Sequence, residues 1–421
     1  MTQKQTQGRL LALDFVRISA LLGVVIYHSA AAYSTNTAYW SVHDGSSVFA
    51  TGIRELVDVF IMPIFFFLAG YFTLSSLRKR GYWSFFKSKF WELGYIWLLA
   101  VIIILPLVWW GTNLKSSGYS ISYLSYWLTW LGSVGETSLG VANDPGQMVH
   151  MHFWFVSLLF YFFIVFILLY QAKNKLLGIS SNTTNTTKPE SPSNKSVLLI
   201  LMTFGLVTSI GYFISLLLVP DTSWLTVKLF LQFQPSKLFL YIAYFGLGLY
   251  GYSRNWFING NPLGRLSIWA PATVLLAAGF LVVGKDVFLN PSATTSLSPA
   301  YLLLFALIRS FFLLSVLVTL ISFAVRYLNR PSRLIHTVAD NSYYIYLVHI
   351  FIVSILQDVL MIWPQGPVFV KILAVFFISI SMSYALSRWV FRKLTIREWV
   401  SRKLFRFFRA VTLREKPTKR H

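Results

Sequence analysis

The stretch LDFVRISALLGVVIYH (13–28) decides how this chain is read. With its flanks it is long enough to cross a bilayer, which takes about 20 predominantly apolar residues. Yet it carries Asp14, Arg17 and His28. A charge at the centre of a membrane costs about 3 kcal/mol or more unless paired or hydrated, so each such residue is a functional candidate. At 100° per residue, eleven steps of a helix return to within about 20° of the start, so Arg17 and His28 share a face roughly 16 Å apart. One face thus holds a cation near one mouth of the membrane and an imidazole deep inside. Imidazole titrates near neutrality and suits proton transfer. The structural alternative is that Arg17 reaches lipid phosphate with Asp14 paired to it, while His28 is a packed polar residue. Lys4, Arg9 and the Ala30-Ala31-Ala32 run also resemble a cleaved secretory signal. The charges inside the run favour a retained helix.

The rest of the chain is of the same kind. Its 421 residues are 56% hydrophobic and 12% charged, half the charge of about 25% usual in soluble domains. Ten apolar segments are predicted as helices: 12–33, 47–74, 93–112, 149–170, 196–219, 237–253, 264–284, 301–325, 341–362 and 366–391. The fold class expected is all-α, a polytopic integral membrane bundle of about ten transmembrane helices with both termini cytoplasmic. The aromatic stretch YSISYLSYWLTWL (119–131) is too short to span and is expected to lie at the outer interface. Residues 178–196 (GISSNTTNTTKPESPSNKS) read as a flexible cytoplasmic linker within a membrane domain covering 1–391. The remainder, 392–421, is a basic cytoplasmic tail. Its alternation of basic and aromatic residues fits either an amphipathic helix on an anionic leaflet or a disordered segment.

Orientation follows from Lys and Arg, which stay on the cytoplasmic side. On the ten-span reading, 28 of the 36 basic residues fall in cytoplasmic segments. Only Lys115, Lys228, Lys237 and Lys285 fall outside. The net charge of +22 therefore belongs to helix ends and the tail, and nucleic acid is not an expected partner. Having no cysteine excludes a disulfide framework, a thiolate nucleophile and Cys-ligated metal.

Ten ionisable residues fall within the spans: Asp14, Arg17, His28, Arg54, Glu55, Asp58, Arg309, His349, Asp358 and Lys371. Asp14, Arg17 and His349 are expected in the cytoplasmic half and the others at the middle or in the outer half. Ten such residues argue for a hydrated cavity reaching in from both sides. A carboxylate is needed to orient His28 and stabilise its protonated form. Glu55 and Asp58 of the second segment stand near its level. Equally, they pair with Arg54 or Arg309 for structural reasons alone.

Arg17-x10-His28 resembles the first-helix signature of the acyltransferase family 3 membrane proteins. MPIFFFLAGYF (62–72) resembles that family's second-helix motif, HFWFV (152–156) its His-aromatic-Trp-Phe segment, and SYYIYLVH (342–349) its late Ser-Tyr…Tyr-Leu-x-His motif. The landmarks stand in family order over about 340 residues. One departure is Met62-Pro63, where many members have Gly-Val-Asp before the phenylalanines. That variant is similar to glucan biosynthesis protein C-like members, which succinylate periplasmic glucans. It leaves no in-register acid, and Asp58 lies more than one helical turn upstream.

The resemblance implies a bacterial-type cell-membrane enzyme. It would move an acetyl or succinyl-type group from cytoplasmic acyl-CoA to a hydroxyl of an extracytoplasmic glycan or lipid-linked sugar, without a metal. Arg17, with Asp14, would meet the phosphates of the donor, and Tyr346 and His349 would line its channel. His28 would act as base or acyl carrier, supported by Glu55 or Asp58. His152, Trp154, Arg54 and Arg309 would bind the acceptor, although core packing serves Trp154 and a structural hydrogen bond serves His349 nearly as well. Membrane lipids are the other expected partners, and nothing in the sequence supports an oligomer. The competing class is a transporter or flippase of a lipid-linked or small anionic substrate. No later segment repeats the 13–28 pattern, against the inverted repeats common in transporters. The unrelated membrane-bound O-acyltransferases do not open with Arg-x10-His.

The 28-to-4 charge asymmetry yields a direct test. Reporter fusions after residues 185 and 400 should read cytoplasmic and one at 290 extracytoplasmic; a single reversed reporter breaks the ten-span reading.

Overall fold

The computed structural model describes residues 3–35, 40–117, 121–141, 150–178, 194–257, 263–289, 297–328 and 332–391. The predicted linker falls outside these residues except at its two ends, and the basic tail lies wholly outside them.

Helix α1 (Gln3–Ser29) is the hub of a helical bundle. It packs against α2 (Val48–Asp58), α3 (Ile61–Arg80), α12 (Pro299–Tyr327), α13 (Arg333–Leu360) and α14 (Val368–Leu386). Caps mark several starts: Ser47 accepts from the Ala50 amide, Ser298 from Tyr301 and Ser332 from Ile335, satisfying donors that a first turn leaves open. Among the described residues, nine helices are long and apolar enough to cross a membrane. The chain is therefore a polytopic all-α protein of the multi-pass membrane type.

The boundaries differ from the sequence expectation in instructive ways. The second segment, 47–74, is two helices parted at Val59–Phe60. Pro63 is the cause: it has no N–H to donate four residues back, so the ladder breaks where Val59 would have accepted. The third segment begins earlier, at Tyr82, and runs as α4 (Tyr82–Lys89), α5 (Tyr95–Leu99) and α6 (Leu105–Ser117), joined by π turns Phe90–Gly94 and Ala100–Ile104. The interfacial stretch contains a short exposed helix, α7 (Tyr123–Gly132). The Trp127 and Trp130 indoles donate to the Ile102 and Val101 carbonyls, at 2.8 and 3.0 Å. They serve carbonyls that the π turn displaces. The bundle continues through α8 (Trp154–Leu176), α9 (Asn194–Leu218), α10 (Pro235–Ser253) and α11 (Leu266–Leu289). The expected span at 237–253 is the 19-residue α10, which is not among the nine because Lys237 and its tyrosines lower its apolarity.

A three-stranded antiparallel sheet, not foreseen in the sequence, ties two loops together at the His28 end of α1. Strands β1 (Thr137–Val141), β2 (Ser223–Val227) and β3 (Leu231–Phe233) pair in that order, with Leu139 opposite Leu225 and Leu225 opposite Phe233. The strands are short, and β1 joins partners far away in sequence, so no local hairpin signal exposes the whole sheet.

Helices α3 and α10 meet backbone to backbone. A Cβ built at Gly70 would lie 2.0 Å from the Phe245 carbonyl oxygen, and one at Gly248 would lie 2.1 Å from that of Phe67. Small residues at such crossings permit the close packing that holds membrane helices together. Gly248→Ala should therefore lower the thermal midpoint of the purified protein, at a cost of about 1–3 kcal/mol or more. Gly246→Ala, where an added Cβ meets nothing within 4 Å, should leave it unchanged. Equal midpoints for the two variants would contradict the α3–α10 crossing.

Candidate active site

A cavity of about 180 Å³ lies at the His28 end of α1. Its walls gather His28 and Tyr27 from α1, Arg54, Glu55 and Asp58 from α2, Ile61 and Met62 from α3, His152 from the turn before α8 and Trp154 from its first residue. Trp40, Trp109, Trp224, Asp221, Gln234, Lys237 and Tyr346 complete its polar and aromatic lining. The break between α2 and α3 puts three charged side chains at its wall.

His28 is held from several sides. Its ring stacks on Trp40, with centroids 5.2 Å apart and planes at 21°, and meets Tyr27 edge-on at 5.0 Å. Gln357 of α13 brackets this arrangement. Its amide nitrogen donates to the His28 and Ser29 carbonyls, at 3.0 and 3.1 Å, while its oxygen accepts from the Trp40 indole at 2.7 Å. Carbonyls in the last turn of a helix lack intrahelical donors, so Gln357 both ends α1 and positions the ring beside its last turn. Nδ1 of His28 is buried without a hydrogen-bond partner, so Nε2 is the nitrogen open to the cavity.

Two further histidines flank it. The His349 ring lies 5.3 Å from His28 and 5.8 Å from His152. His349 Nδ1 donates to the Tyr346 carbonyl at 2.6 Å, and His152 Nε2 donates to the Leu347 carbonyl at 3.1 Å. The Tyr346 hydroxyl donates to the His152 carbonyl at 2.6 Å, locking α13 to the turn before α8. In that turn Met151 has φ of 46°, a left-handed conformation unusual for a side chain of this size. The sequence reading set His349 in the cytoplasmic half, beside the donor. Because α13 begins at Arg333, eight residues before the expected boundary, His349 stands mid-helix at the level of His28. Tyr346 likewise belongs to this cavity.

The acids do not reach His28. The Asp58 carboxylate accepts from Lys237 at 2.6 Å and from Arg309 at 3.4 Å, so the structural alternative weighed for Asp58 is the contact observed. Arg309 also sits over the Tyr212 ring, 4.6 Å from its centroid. Arg54 donates to the Tyr27 hydroxyl at 3.0 Å. Glu55 lines the cavity wall beside it. Asp221, in the loop after α9, accepts from Ser236 at 2.8 Å. Its burial pushes the carboxyl up, but Lys237 and Arg309 outweigh this and hold it below the usual range. Lys237 had been counted only as a loop cation and Asp221 not at all; a Lys two residues after the Pro that opens an apolar segment was the available signal.

The remaining candidates lie elsewhere. Arg17 and Asp14 do not line the cavity. They pair with each other at 3.1 Å, Asp14 also faces His336 at 3.4 Å, and Arg17 lies over Phe72. Lys371 is buried on α14 and bonds Asp44 of the loop before α2 at 2.7 Å, tying that loop down. Asp358 is exposed near the end of α13, outside any cluster of charges the sequence reading assumed. No group of three metal-ligating side chains occurs among the described residues.

A family model described as an acyltransferase domain matches residues 10–388. The chain belongs to that family. No curated protein and no solved structure matched it significantly. The matched span contains every cavity residue of this acyltransferase, as well as Arg17 and Asp14 at the other end of α1.

The ion-pair geometry predicts that Asp58 acts on stability before rate. Asp58→Ala leaves the buried Lys237 and Arg309 with Asp221 alone, a loss of up to about 3–5 kcal/mol as when one partner of a buried pair is removed. Its thermal midpoint should drop sharply, and the Asp58→Leu/Lys237→Met double variant should recover part of the loss. An Asp58→Ala protein as stable as wild type but inactive would instead give Asp58 a chemical role.

Proposed function

We propose that this acyltransferase moves an acetyl or succinyl-type group from cytoplasmic acyl-CoA to a sugar hydroxyl on the far side of the membrane, with His28 as the base. The observation that carries this reading is the position of His28 Nε2 at the wall of an aromatic, carboxylate-bearing cavity. Arg17 stands on the same helix face, roughly 16 Å away. Membership in an acyltransferase family supports the enzyme over the transporter alternative.

The division of labour follows from residue chemistry. Arg17 offers a planar fork suited to the donor's phosphates, and Asp14 orients it. An extended pantetheine arm is comparable in length to the Arg17–His28 separation, so the thioester would arrive beside His28. Trp40, Trp154 and Trp224 offer flat apolar faces to a sugar ring. Glu55 and Asp221 offer oxygens that accept from sugar hydroxyls. The acceptor would be a glycan or a lipid-linked sugar, and the protein would sit in a bacterial-type cell membrane with its termini inside. The charge asymmetry of the loops supports that orientation.

Two substitutions separate donor binding from chemistry. Arg17→Ala should weaken acyl-CoA binding strongly, and Arg17→Lys should restore only part, because a point charge replaces a bidentate fork. His28→Gln retains hydrogen bonding but takes no proton at neutral pH. It should lower transfer by about 10²–10⁴-fold while acyl-CoA still binds. A purified His28→Gln protein that transfers at the wild-type rate would refute the mechanism. Mass spectrometry of envelope glycans with and without the protein should reveal the acyl group and its acceptor.

A further inference from the structure

The expected partner for His28 was a carboxylate, and neither Glu55 nor Asp58 contacts it. The imidazole beside its ring is that of His349, 5.3 Å away between centroids. Resting on the reading of His28 as the base, we infer that His349 is its positioning residue, forming a histidine–histidine dyad in which His349 Nε2 accepts the proton on His28 Nδ1.

The tautomers follow from the partners. A carbonyl oxygen only accepts, so the 2.6 Å contact with the Tyr346 carbonyl puts the His349 proton on Nδ1. A neutral imidazole with Nδ1 protonated keeps its lone pair on Nε2. That Nε2 is buried and has no hydrogen-bond partner, and the same is true of His28 Nδ1. The two rings are 5.3 Å apart between centroids, at 47°. A buried lone pair and a buried ring nitrogen, each costly to leave unsatisfied, thus stand on adjacent rings. A proton on His28 Nδ1 answers both. Catalytic hydrogen bonds of this kind commonly shorten as the site closes on its substrate.

The dyad decides which nitrogen of His28 does the chemistry. With Nδ1–H directed at His349, the lone pair of His28 lies on Nε2, the nitrogen open to the cavity. The acceptor hydroxyl gives its proton to Nε2 as its oxygen bonds to the thioester carbonyl carbon. The C–S bond then breaks, and the departing thiolate takes the proton back from Nε2. The products are the ester and free CoA. Through both steps Nδ1–H stays with His349, whose lone pair stabilises the transient imidazolium. His152, pinned through Nε2 to the Leu347 carbonyl and edge-on to the His349 ring at 5.8 Å, restricts how far that ring can turn.

The test compares His349→Asn with His349→Gln in membrane vesicles given radiolabelled acetyl-CoA or succinyl-CoA, scoring label in the endogenous glycan. Asn keeps an amide donor where Nδ1 stood and removes Nε2. Gln extends an amide oxygen toward the Nε2 position. Asn should lower kcat about 10–100-fold, as removal of outer hydrogen-bond partners of working histidines commonly does, with the KM for the donor within about twofold. Gln should recover most of the loss. A wild-type kcat for His349→Asn, or equal losses in both variants, overturns the dyad. If neither variant folds, nitrogen NMR of histidine-labelled wild type decides, with the His28 signal assigned by its disappearance in His28→Gln. Protonation at Nδ1 supports the dyad and protonation at Nε2 overturns it. The two readings fail separately. An active His28→Gln removes the base itself, whereas an inactive His28→Gln beside an unaffected His349→Asn removes only the partner.

Discussion

The cost of placing charge in a medium that cannot solvate it governs this structure. Nearly every ionisable side chain within the bundle has been given an opposite charge or an aromatic face. Lys237 and Arg309 converge on Asp58, Lys371 reaches Asp44, and Arg17 holds Asp14. The pairs of Asp58 and of Lys371 also join elements distant in sequence: α2 to α10 and α12, and the loop before α2 to α14. The Asp58–Lys237 pair thus ties two walls of the cavity together.

The histidines differ from these pairs in touching one another, ring to ring, at the cavity. His28, His349 and His152 each retain a buried ring nitrogen without a hydrogen-bond partner. Burial without a partner is expensive for a polar group, and here it recurs three times within one contact chain of rings. Helix α13 supplies the order, since its Tyr346 and Leu347 carbonyls fix the tautomers of His349 and His152 and its Gln357 fixes the backbone and the stacking partner of His28. One helix therefore orients all three rings.

How much of this was legible in the sequence varies with the range of the interaction. The helical class and the acyltransferase family could be read from the apolar runs and from local motifs such as 13–28 and 342–349. Those motifs depend on spacing within one helix, which sequence preserves. The cavity residues His28, Glu55, Asp58, Arg54, His152 and Trp154 were named, and Arg309 as a partner for Asp58, but Lys237 and Gln357 were not foreseen as partners. Lys237 lies 179 positions from Asp58 and Gln357 lies 329 from His28, and no periodicity links residues so far apart. The misplaced depth of His349 has a simpler origin. Apolarity marks where a helix enters hydrocarbon and not where it begins, and the polar first turns of α13 were left out of the count. The sheet was missed because a five-residue strand in a loop carries almost no pattern of its own.

The account stands on one geometric claim, that the face of α1 is a ruler between the donor's phosphates and the attacked carbonyl. The most direct measurement is an experimental structure of the protein with a non-hydrolysable acyl-CoA analogue in a lipid nanodisc. The account predicts the diphosphate at Arg17 and the acyl carbonyl in the cavity, with an acceptor-sized gap between it and His28 Nε2, the reacting atoms being spaced about 3–3.5 Å as in a near-attack geometry. A diphosphate bound away from Arg17, or an acyl end that stops short of the His28 cavity, would contradict it.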